Sequence, residues 1–502
     1  MKCPLCGNEA PRSGACPSCD AAAAGGSAAE ARPHVVVLGA GLAGLSAAAR
    51  LVKRGCRVTV VEADDHVGGL AASFTIRTQW GEFDYDNGPH RFHTTDTHVK
   101  EEAMRLVGHD IVWAQRQSRI YLYGRFFHYP LRGGNVLRSL PPLVLVKAFL
   151  DYLAVKVRNL VAPRPDSNFE NWVVNRFGRK LYDVFFGTYT EKTWGIPCNR
   201  ISADWAAQRI SLLSLWDTVK KTLFPSRDGD VPRTLVSKFF YPRRGGIGEL
   251  CRQYANEIRA AGSEVLLSTP ALRLLHADGK VSGVVVGGAS GERTLAATRI
   301  ISTIPCTNLA RLLAPAAPAE VLHSVNSLKH RSMIFVYMIL NRPTVTPDHW
   351  IYLPEQTLTT HRLSEFKNFS ADSAPADKTL LCAEITCDYD DAEWRMSDAA
   401  LQATVVKDMG RLGLIKESEI LQTFSRRERY AYPIYDLEYR AHRDLVLQHI
   451  ASIGGLITTG RQGLFKYNNM DHSVGMGLAA ADNLLGTGDD HTGVAAGQEY
   501  FG

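Results

Sequence analysis

The amino-acid sequence predicts an α/β protein in which a Rossmann-like dinucleotide-binding domain is interleaved with an α+β domain and preceded by a small cysteine-rich appendage. Three observations predict this fold: a glycine-rich turn between two apolar strands, glycine-rich strand ends that recur far downstream, and two CxxC pairs near the N-terminus. The chain has 502 residues, of which 45% are hydrophobic and 22% charged. This composition excludes disorder, collagen and coiled coil, and the length allows two or three domains.

The chain begins with two CxxC knuckles and a stretch of small residues. The cysteines of the knuckles are Cys3, Cys6, Cys16 and Cys19. Four thiolates in two tight turns suit a tetrahedral metal, and so short a segment cannot fold on apolar burial alone. We predict a zinc-ribbon-like knuckle over residues 1–20 that holds structural zinc; disulfides, idle thiols and a rubredoxin-like iron site are the alternatives. Residues 21–32 predict a flexible linker, so we expect the knuckle to be a separable appendage. A protein partner could bind to this knuckle.

The other six cysteines are scattered without a pairing rhythm, which is typical of small buried residues in a reducing compartment. The N-terminus lacks the charged and apolar regions of a signal peptide, and no apolar run reaches the roughly 20 residues that span a bilayer. We therefore expect a cytoplasmic protein without a transmembrane segment. The net charge of +6 comes without a dense basic run, which favours anionic small ligands and no nucleic acid.

A strand–turn–helix–strand unit opens the main body. The glycines of its turn are Gly39, Gly41 and Gly44. The turn follows the apolar strand Val35–Leu38 and leads into the small-residue helix Leu45–Arg54, and the next strand, Val58–Val61, ends at Glu62. The first two glycines permit a tight turn against a pyrophosphate, the third lets helix and strand pack closely, and the helix N-terminus faces the anion. We expect Glu62 to accept hydrogen bonds from an adenosine ribose.

A second glycine pair, Gly68 and Gly69, follows the ribose-binding acid, and this extension is typical of FAD-binding two-domain flavoproteins. Apolar strand segments that end in turns recur at 281–286, 299–304 and 455–460. The last of them ends at Gly460. The small-residue helix Gly475–Leu485, whose second residue is Met476, is expected to place its N-terminus at the flavin. These sequence-distant pieces predict one FAD site.

The remaining segments predict the interleaved α+β substrate domain. The aromatic stretch Tyr121–Pro130 predicts a hairpin, and the mostly apolar stretch Pro141–Arg158 predicts a helix. We assign to the split FAD-binding domain residues 33–100, 240–320 and 450–502, and to the substrate domain residues 101–239 and 321–449.

Five further motifs follow one another along the chain. They are Gly88–Thr94 with His90 and His93, Thr188–Gly195 with Tyr189 and Trp194, the pair Arg209-Ile210, His361–Lys367 with Arg362, and Gly460–Tyr467 with Arg461. On these motifs the chain from Val35 onward resembles the FAD-dependent superfamily of amine oxidases and protoporphyrinogen oxidases. Within it, the chain is most similar to the UDP-galactopyranose mutases.

The resemblance implies a place for each of these residues around the flavin and the substrate. His90 and His93 would lie beside the isoalloxazine, and Arg461 near the flavin. Tyr189 and Trp194 would line the sugar pocket. The substrate diphosphate would be held by Arg209, Arg362 and Tyr467. Independently of the family, arginines and a tyrosine hydroxyl offer the charge-assisted bonds that a diphosphate requires.

Two chemistries stay open. In the first, an FAD-dependent enzyme interconverts the pyranose and furanose forms of a nucleoside-diphosphate sugar through reduced flavin N5 and needs an external reductant. In the second, favoured by the oxidase-like segment Phe239–Gly248, an oxidoreductase takes hydride from a sugar, amine or porphyrinogen-like substrate and passes electrons to an acceptor. A scaffold protein with structural FAD is a third alternative. The aromatic sandwich that holds uracil in the mutases has no counterpart, so the sequence leaves sugar and nucleobase open.

Overall fold

The computed structural model describes residues 32–129, 133–209, 238–289 and 291–487 of the chain. In chain order the described strands are β1 (His34–Leu38), β2 (Arg57–Val61), β3 (Ser73–Thr78), β4 (Gly81–Asp86), β5 (Ile111–Gln115), β6 (Ser118–Leu122), β7 (Arg125–Tyr129), β8 (Lys238–Pro242), β9 (Glu264–Leu266), β10 (Ala271–Ala277), β11 (Lys280–Val286), β12 (Arg293–Ala296), β13 (Ile300–Ser302), β14 (Leu313–Ala314), β15 (His330–Leu340), β16 (Trp350–Tyr352), β17 (Arg362–Glu365), β18 (Thr379–Cys387), β19 (Ile420–Pro433) and β20 (Leu456–Thr458).

Helices lie between groups of these strands. The described α-helices are α1 (Leu42–Lys53), α2 (Thr97–Val107), α3 (Gly133–Ser139), α4 (Pro142–Val161), α5 (Phe169–Phe177), α6 (Arg179–Leu181), α7 (Thr188–Trp194), α8 (Ala203–Arg209), α9 (Glu249–Ala260), α10 (Cys306–Arg311), α11 (Ala319–Ser327), α12 (Ala392–Arg395), α13 (Asp398–Arg411), α14 (Tyr439–Ala451), α15 (Gly460–Gly463) and α16 (Met470–Leu484). A π-helical segment, Tyr182–Gly187, joins α6 to α7. Short 3₁₀ turns lie at Gly69–Ala71, Cys198–Arg200, Phe366–Asn368, Ala371–Ser373 and Glu417–Glu419.

One layer is a five-stranded parallel sheet in the order β20-β13-β1-β2-β9. Its central strand β1 is buried from Val35 to Leu38, as an apolar strand covered on both faces must be. Helix α1 packs on this sheet between α9 and α16. Because the strands are parallel, their carboxyl ends meet at one edge, where the glycine turn, Glu62 and the end of β20 come together. The predicted dinucleotide-binding unit thus occupies the edge at which ligands bind in such sheets.

The second large layer is a seven-stranded sheet in the order β19-β15-β18-β17-β16-β6-β7. The long strand β15 is buried almost throughout and pairs antiparallel with both β18 and β19. The predicted aromatic hairpin is β6–β7, which joins the sheet through a parallel pairing between β6 and β16. The strands of this sheet and the helices α4–α8 are formed by residues that the sequence assigns to the substrate domain.

The apolar stretch after residue 141 forms the helix α4. Apolar side chains that recur every three or four residues along this helix are exposed, and they are Leu143, Val146, Leu150, Leu153, Val157 and Leu160. The described residues contain no helix that is long and apolar enough to cross a membrane.

The six scattered cysteines are free and buried in the described structure, as the sequence predicts for small apolar residues. They are Cys56, Cys198, Cys251, Cys306, Cys382 and Cys387. Burial raises the pKa of the Cys251 and Cys306 thiols to about 12, so both are protonated at neutral pH.

Candidate active site

The glycine turn after β1 is shaped as a phosphate cradle. Gly39 has a φ of +99°, which favours glycine, and its N–H donates to the carbonyl of Val61 at 2.8 Å. A Cβ on Gly44 would lie 2.0 Å from the carbonyl oxygen of Gly39, so only glycine lets α1 start this close to the strand. The turn therefore leaves backbone N–H groups at the start of α1 open to an anion.

Glu62 closes the same edge of the sheet. Its carboxylate accepts hydrogen bonds from the N–H of Ala40 at 2.7 Å and from the N–H of Asp64 at 3.0 Å. Burial raises the pKa of Glu62 while these two N–H groups oppose the shift. Gly68, with a φ of +119°, donates its N–H to the Ala40 carbonyl and so ties the second glycine pair to the first turn.

A cavity of about 880 Å³ runs from the glycine turn to the seven-stranded sheet. Among the residues that the sequence predicts for the site, those lining it are Gly39, Gly41, Glu62, Gly68, Gly69, His90, His93, Arg362, Gly460, Arg461 and Tyr467. Residues from both predicted domains thus meet at one continuous cavity.

His90 stands on the cavity wall as a neutral imidazole. Its Nδ1–H donates to the carbonyl of Gly88 at 2.8 Å, which leaves Nε2 as an acceptor. Burial, Arg461 and Arg362 lower the pKa of His90 to about 4. A nearby His93 donates from Nδ1 to the Lys238 carbonyl at 3.0 Å.

Asp86 anchors the loop that carries His90. Its carboxylate is fully buried and accepts hydrogen bonds from Ser73 Oγ at 2.6 Å, from the Tyr241 hydroxyl at 3.0 Å and from the N–H of Ile247 at 3.0 Å. Its other oxygen accepts from the N–H of His90 at 3.4 Å. Burial raises the pKa of Asp86 to about 6, against which the hydrogen bonds act.

Asp86 should make stability depend on pH. The folded pKa of about 6 lies above the ordinary value of 3.8, so the stabilising contribution of the bound proton is complete below about pH 4 and lost as the pH rises through 6. We expect the free energy of unfolding of Asp86→Asn, relative to that of the wild type, to be higher at pH 7.5 than at pH 5, because only the wild type loses stability as Asp86 ionises. Urea unfolding at both pH values measures this, with the exposed Asp110→Asn as control. Parallel pH profiles for Asp86→Asn and the wild type would contradict it.

Arg362 lies at the start of β17 and reaches the cavity beside a buried acid. Its Nε and Nη2 each donate to Glu384 at 2.6 Å, which forms a bidentate ion pair. Glu384 is fully buried, and burial raises its pKa while Arg362 opposes the shift. Because Glu384 holds one edge of the guanidinium, only the remaining Nη1 side of Arg362 is available to a ligand.

Arg461 is fixed at the end of the five-stranded sheet. Its guanidinium donates to the backbone carbonyl and the side-chain oxygen of Asn468 and to the carbonyl of Ala431. Asn468 is buried and donates in turn to the sulfur of Met476 at 3.0 Å. Met476 therefore supports Asn468 from the second turn of α16 and does not line the cavity.

Helix α16 begins earlier than predicted, at Met470. Asn469 caps it, because its side chain accepts from the backbone N–H of His472, whose ring in turn accepts the N–H of Asn469 at 3.2 Å. The predicted first residue, Gly475, lies in the second turn, whereas Met470 and Ser473 line the cavity. The N-terminus of the helix does face the cavity.

Tyr467 and the neighbouring rings form an aromatic wall. The guanidinium of Arg461 lies 4.6 Å above the Tyr467 ring, and Trp205 and Tyr432 pack against that ring at 4.9 and 5.3 Å. Trp194 is buried behind them, 6.2 Å from Tyr467. It therefore supports the wall without lining the cavity.

Two further predicted residues remain, of which only Tyr189 has a described side chain. Tyr189 packs its ring at 5.6 Å against Tyr352, which lines the cavity in its place. Arg209 is the last residue of α8, and its side chain lies outside the described residues.

The predicted zinc ligands Cys3, Cys6, Cys16 and Cys19 also lie outside the described residues, so the zinc knuckle stays a prediction. Within the described ranges, no group of three or more His, Cys, Asp or Glu side chains is arranged to hold a metal ion.

A sequence profile of the flavin-containing amine oxidoreductases matches residues 42–485, which is most of the chain. The chain belongs to this family. The glycine turn fits the dinucleotide that the family binds, since Gly39 lines the cavity and a Cβ there would lie 2.5 Å from Thr303 Oγ1. Family membership and this cradle both support FAD as the cofactor.

Relatives within and around the family carry different activities in their names. A Klebsiella pneumoniae protein named "Probable UDP-galactopyranose mutase" is 24% identical over 176 residues, which are 34% of this chain and 43% of that protein. The chain spans less than half the length of the curated relatives it matches. A crystal structure of reduced UDP-galactopyranose mutase superposes with a TM-score of 0.80 at 22% identity and covers 94% of this chain and 98% of that one. Cyclohexylamine oxidase from Brevibacterium oxydans superposes at 0.62 with 17% identity, covering 90% and 98%. These likenesses show the fold.

Several lining or supporting residues of this flavoenzyme were missed by sequence reasoning. They are Arg91, Arg116, Tyr352, Glu384, Tyr432 and Asn468. Arg91 lies between His90 and His93 in the histidine motif, and a charged residue at that position could have been recognised as a site residue.

Proposed function

We propose that this flavoenzyme is a mutase-type enzyme that acts on a nucleoside-diphosphate sugar. The observation that carries the proposal is the convergence of Arg362, Arg461 and Tyr467 on one cavity that continues into the glycine turn. A diphosphate in that position meets Arg362 and the Tyr467 hydroxyl, which the resemblance assigns to it, and also Arg461, which the resemblance places near the flavin. Bound and reduced, FAD supplies a nucleophilic nitrogen for the anomeric carbon of the sugar.

The chain's own residues would hold the leaving group and exclude water. Arg461 is pinned by Asn468 and Ala431, so its position is set before the ligand arrives. Arg362 is likewise pinned by Glu384. Because Nδ1–H of neutral His90 donates to the Gly88 carbonyl, its Nε2 can accept a hydrogen bond from a sugar hydroxyl.

The segment that favoured an oxidoreductase supports the core of the protein. Phe239, Phe240 and Tyr241 are buried in β8, and Gly248 donates its N–H to Ser73 Oγ at 2.7 Å. None of the residues from 239 to 248 lines the cavity described above. The likeness of this segment to oxidases therefore lies in residues that pack the core. The family name keeps the oxidoreductase as the second candidate.

Anaerobic kinetics separate the two functions. The holoenzyme is mixed with UDP-galactopyranose, with and without prior reduction by dithionite, and the sugar is analysed for the furanose form. The mutase predicts isomerisation only after reduction and no bleaching of oxidised flavin by the substrate. Bleaching of the oxidised flavin by UDP-galactose, or by an amine offered in its place, would establish the oxidoreductase instead.

Tyr467 provides a test of the diphosphate position. Replacing Tyr467 with phenylalanine keeps the ring packing against Trp205 and removes one hydroxyl donor. We expect the Kd for UDP to rise about tenfold, the value of one hydrogen bond to a charged group. Calorimetric titration measures this, and Tyr121→Phe, on the β6–β7 hairpin, serves as control. An unchanged Kd in Tyr467→Phe would remove this residue from the diphosphate site.

A further inference from the structure

Two arginines line the cavity beside the predicted sugar pocket, and the proposed function does not use them. Arg91 follows His90, and its guanidinium lies 5.1 Å from the Trp350 ring and 5.8 Å from the Phe239 ring. Arg116 comes from the loop before β6, and its guanidinium lies 5.0 Å from the Tyr129 ring. Aromatic faces therefore cover both groups, and neither is a freely solvated surface arginine.

Neither guanidinium meets an acid within the described ranges. No carboxylate oxygen lies within 4.0 Å of Arg91 or Arg116, although the other site arginine on this side, Arg362, has Glu384. Nη1 of Arg91 and Nη1 of Arg116 are both buried and lack a hydrogen-bond partner among the described residues. Arg116 donates long hydrogen bonds to Ser118 Oγ at 3.3 Å and to the Tyr352 hydroxyl at 3.5 Å.

Two buried like charges side by side are unfavourable. Burial and the neighbouring Arg116 lower the pKa of Arg91 to about 9, and Arg362 adds to the same repulsion. A buried donor without a partner has lost its hydrogen bond to water, which costs free energy. A buried charge without a partner costs more, because it has also lost its hydration. An anion between Arg91 and Arg116 would satisfy both Nη1 atoms and cancel the repulsion.

We propose that Arg91 and Arg116 form an anion-binding subsite for a carboxylate or phosphoryl group carried by the sugar end of the substrate. This inference rests on the proposed function, because the diphosphate then occupies Arg362, Arg461 and Tyr467. Arg116 contacts Tyr352, whose ring packs on Tyr189 in the predicted sugar pocket, so the subsite lies beyond the diphosphate position. The substrate class is a nucleoside-diphosphate sugar with a second anionic group, such as a uronic acid or a phosphorylated sugar.

A matched pair of ligands tests the subsite. UDP-glucose and UDP-glucuronate differ only in a hydroxymethyl and a carboxylate group, and calorimetric titration of the oxidised holoenzyme gives the Kd of each. We expect UDP-glucuronate to bind at least about tenfold more tightly to the wild type, and the preference to fall below about threefold in Arg91→Gln and in Arg116→Gln. Arg125→Gln, an exposed arginine of the β6–β7 hairpin, should keep the wild-type preference. The Kd for UDP alone should stay unchanged in all three variants.

Other outcomes overturn the subsite or the proposed function separately. Equal affinity of the wild type for the two sugars, or a preference that survives both variants, overturns the subsite for carboxylates. Weaker UDP binding in Arg91→Gln and Arg116→Gln, to the same extent as UDP-glucuronate binding, places both arginines on the diphosphate and also overturns it.

Failure of UDP, of both sugars and of the adenosine, guanosine, cytidine and thymidine diphosphates to bind overturns the proposed function, and inorganic anions then test the subsite alone. Phosphate and acetate, each compared with chloride at equal ionic strength, should raise the unfolding temperature of the wild type but not of Arg116→Gln. A larger response to phosphate than to acetate identifies a phosphoryl group as the preferred ligand, and the reverse identifies a carboxylate. No response to either anion overturns the subsite.

Discussion

Replacing Glu384 with glutamine is expected to lower the free energy of unfolding by about 3 to 5 kcal/mol, the loss seen when one partner of a buried ion pair is removed. Glu384 is fully buried in β18, and both of its oxygens accept hydrogen bonds from Arg362 at 2.6 Å. Glutamine keeps the size of the side chain but leaves the Arg362 charge in the core without a counter-charge. Urea unfolding of the holoenzyme measures the change.

Two controls separate this effect from a general loss of charge. Glu82→Gln removes an acid from the exposed pair with Arg77, and the expected change there is smaller than about 1 kcal/mol. The double variant Arg362→Met with Glu384→Leu replaces the buried pair by apolar groups and should recover most of the stability but none of the UDP affinity. A double variant as unstable as Glu384→Gln would contradict the assignment of the loss to an uncompensated charge.

Gly44→Ala is expected to yield protein that largely lacks FAD and is less stable by about 1 to 3 kcal/mol, the usual penalty of an overpacked core. The added Cβ would lie 2.0 Å from the Gly39 carbonyl oxygen and 3.1 Å from Thr303 Oγ1. Both atoms lie directly against the start of α1, so α1 must move away from the glycine turn. Visible flavin absorbance per purified chain reports the loss.

Gly410→Ala is the matched control. Gly410 also lies in a helix, α13, but it is exposed and a Cβ there would meet no atom within 4 Å. Since alanine favours a helix over glycine, this variant should keep its FAD and gain up to about 1 kcal/mol. Equal FAD content in Gly44→Ala and Gly410→Ala would show that close packing at Gly44 does not shape the cofactor site.

The dinucleotide-binding unit was predictable because it is local. Strand, glycine turn, helix and Glu62 follow one another within about thirty residues, and each step imposes a residue type: β-branched residues in the strand, glycines in the turn, an acid at the end of the next strand. The structure places the strand at His34–Leu38, the helix at Leu42–Lys53 and the acid at the sheet edge. Boundaries moved by a few residues where a cap decided them, as at Asn469 and Met470.

The substrate side was predictable only as a set of motifs from a resemblance. Arg362, Arg461 and Tyr467 do reach one cavity, but Tyr189 and Trp194 pack behind its wall, and Tyr352 stands on it instead. No periodicity in the sequence distinguishes a ring on the wall from a ring behind it. That difference is one of side-chain depth, set by the packing of neighbouring strands.

The sequence by itself determined the cofactor class and the position of the glycine cradle, because each depends on residues close together in the chain. Only the tertiary structure decided which charges are paired. Glu384 meets Arg362 because β17 and β18 are neighbours in the seven-stranded sheet. Arg91 and Arg116, which both line the cavity, meet no acid among the described residues. Electrostatic pairing depends on distances of a few ångströms between distant segments, and a linear sequence does not contain those distances.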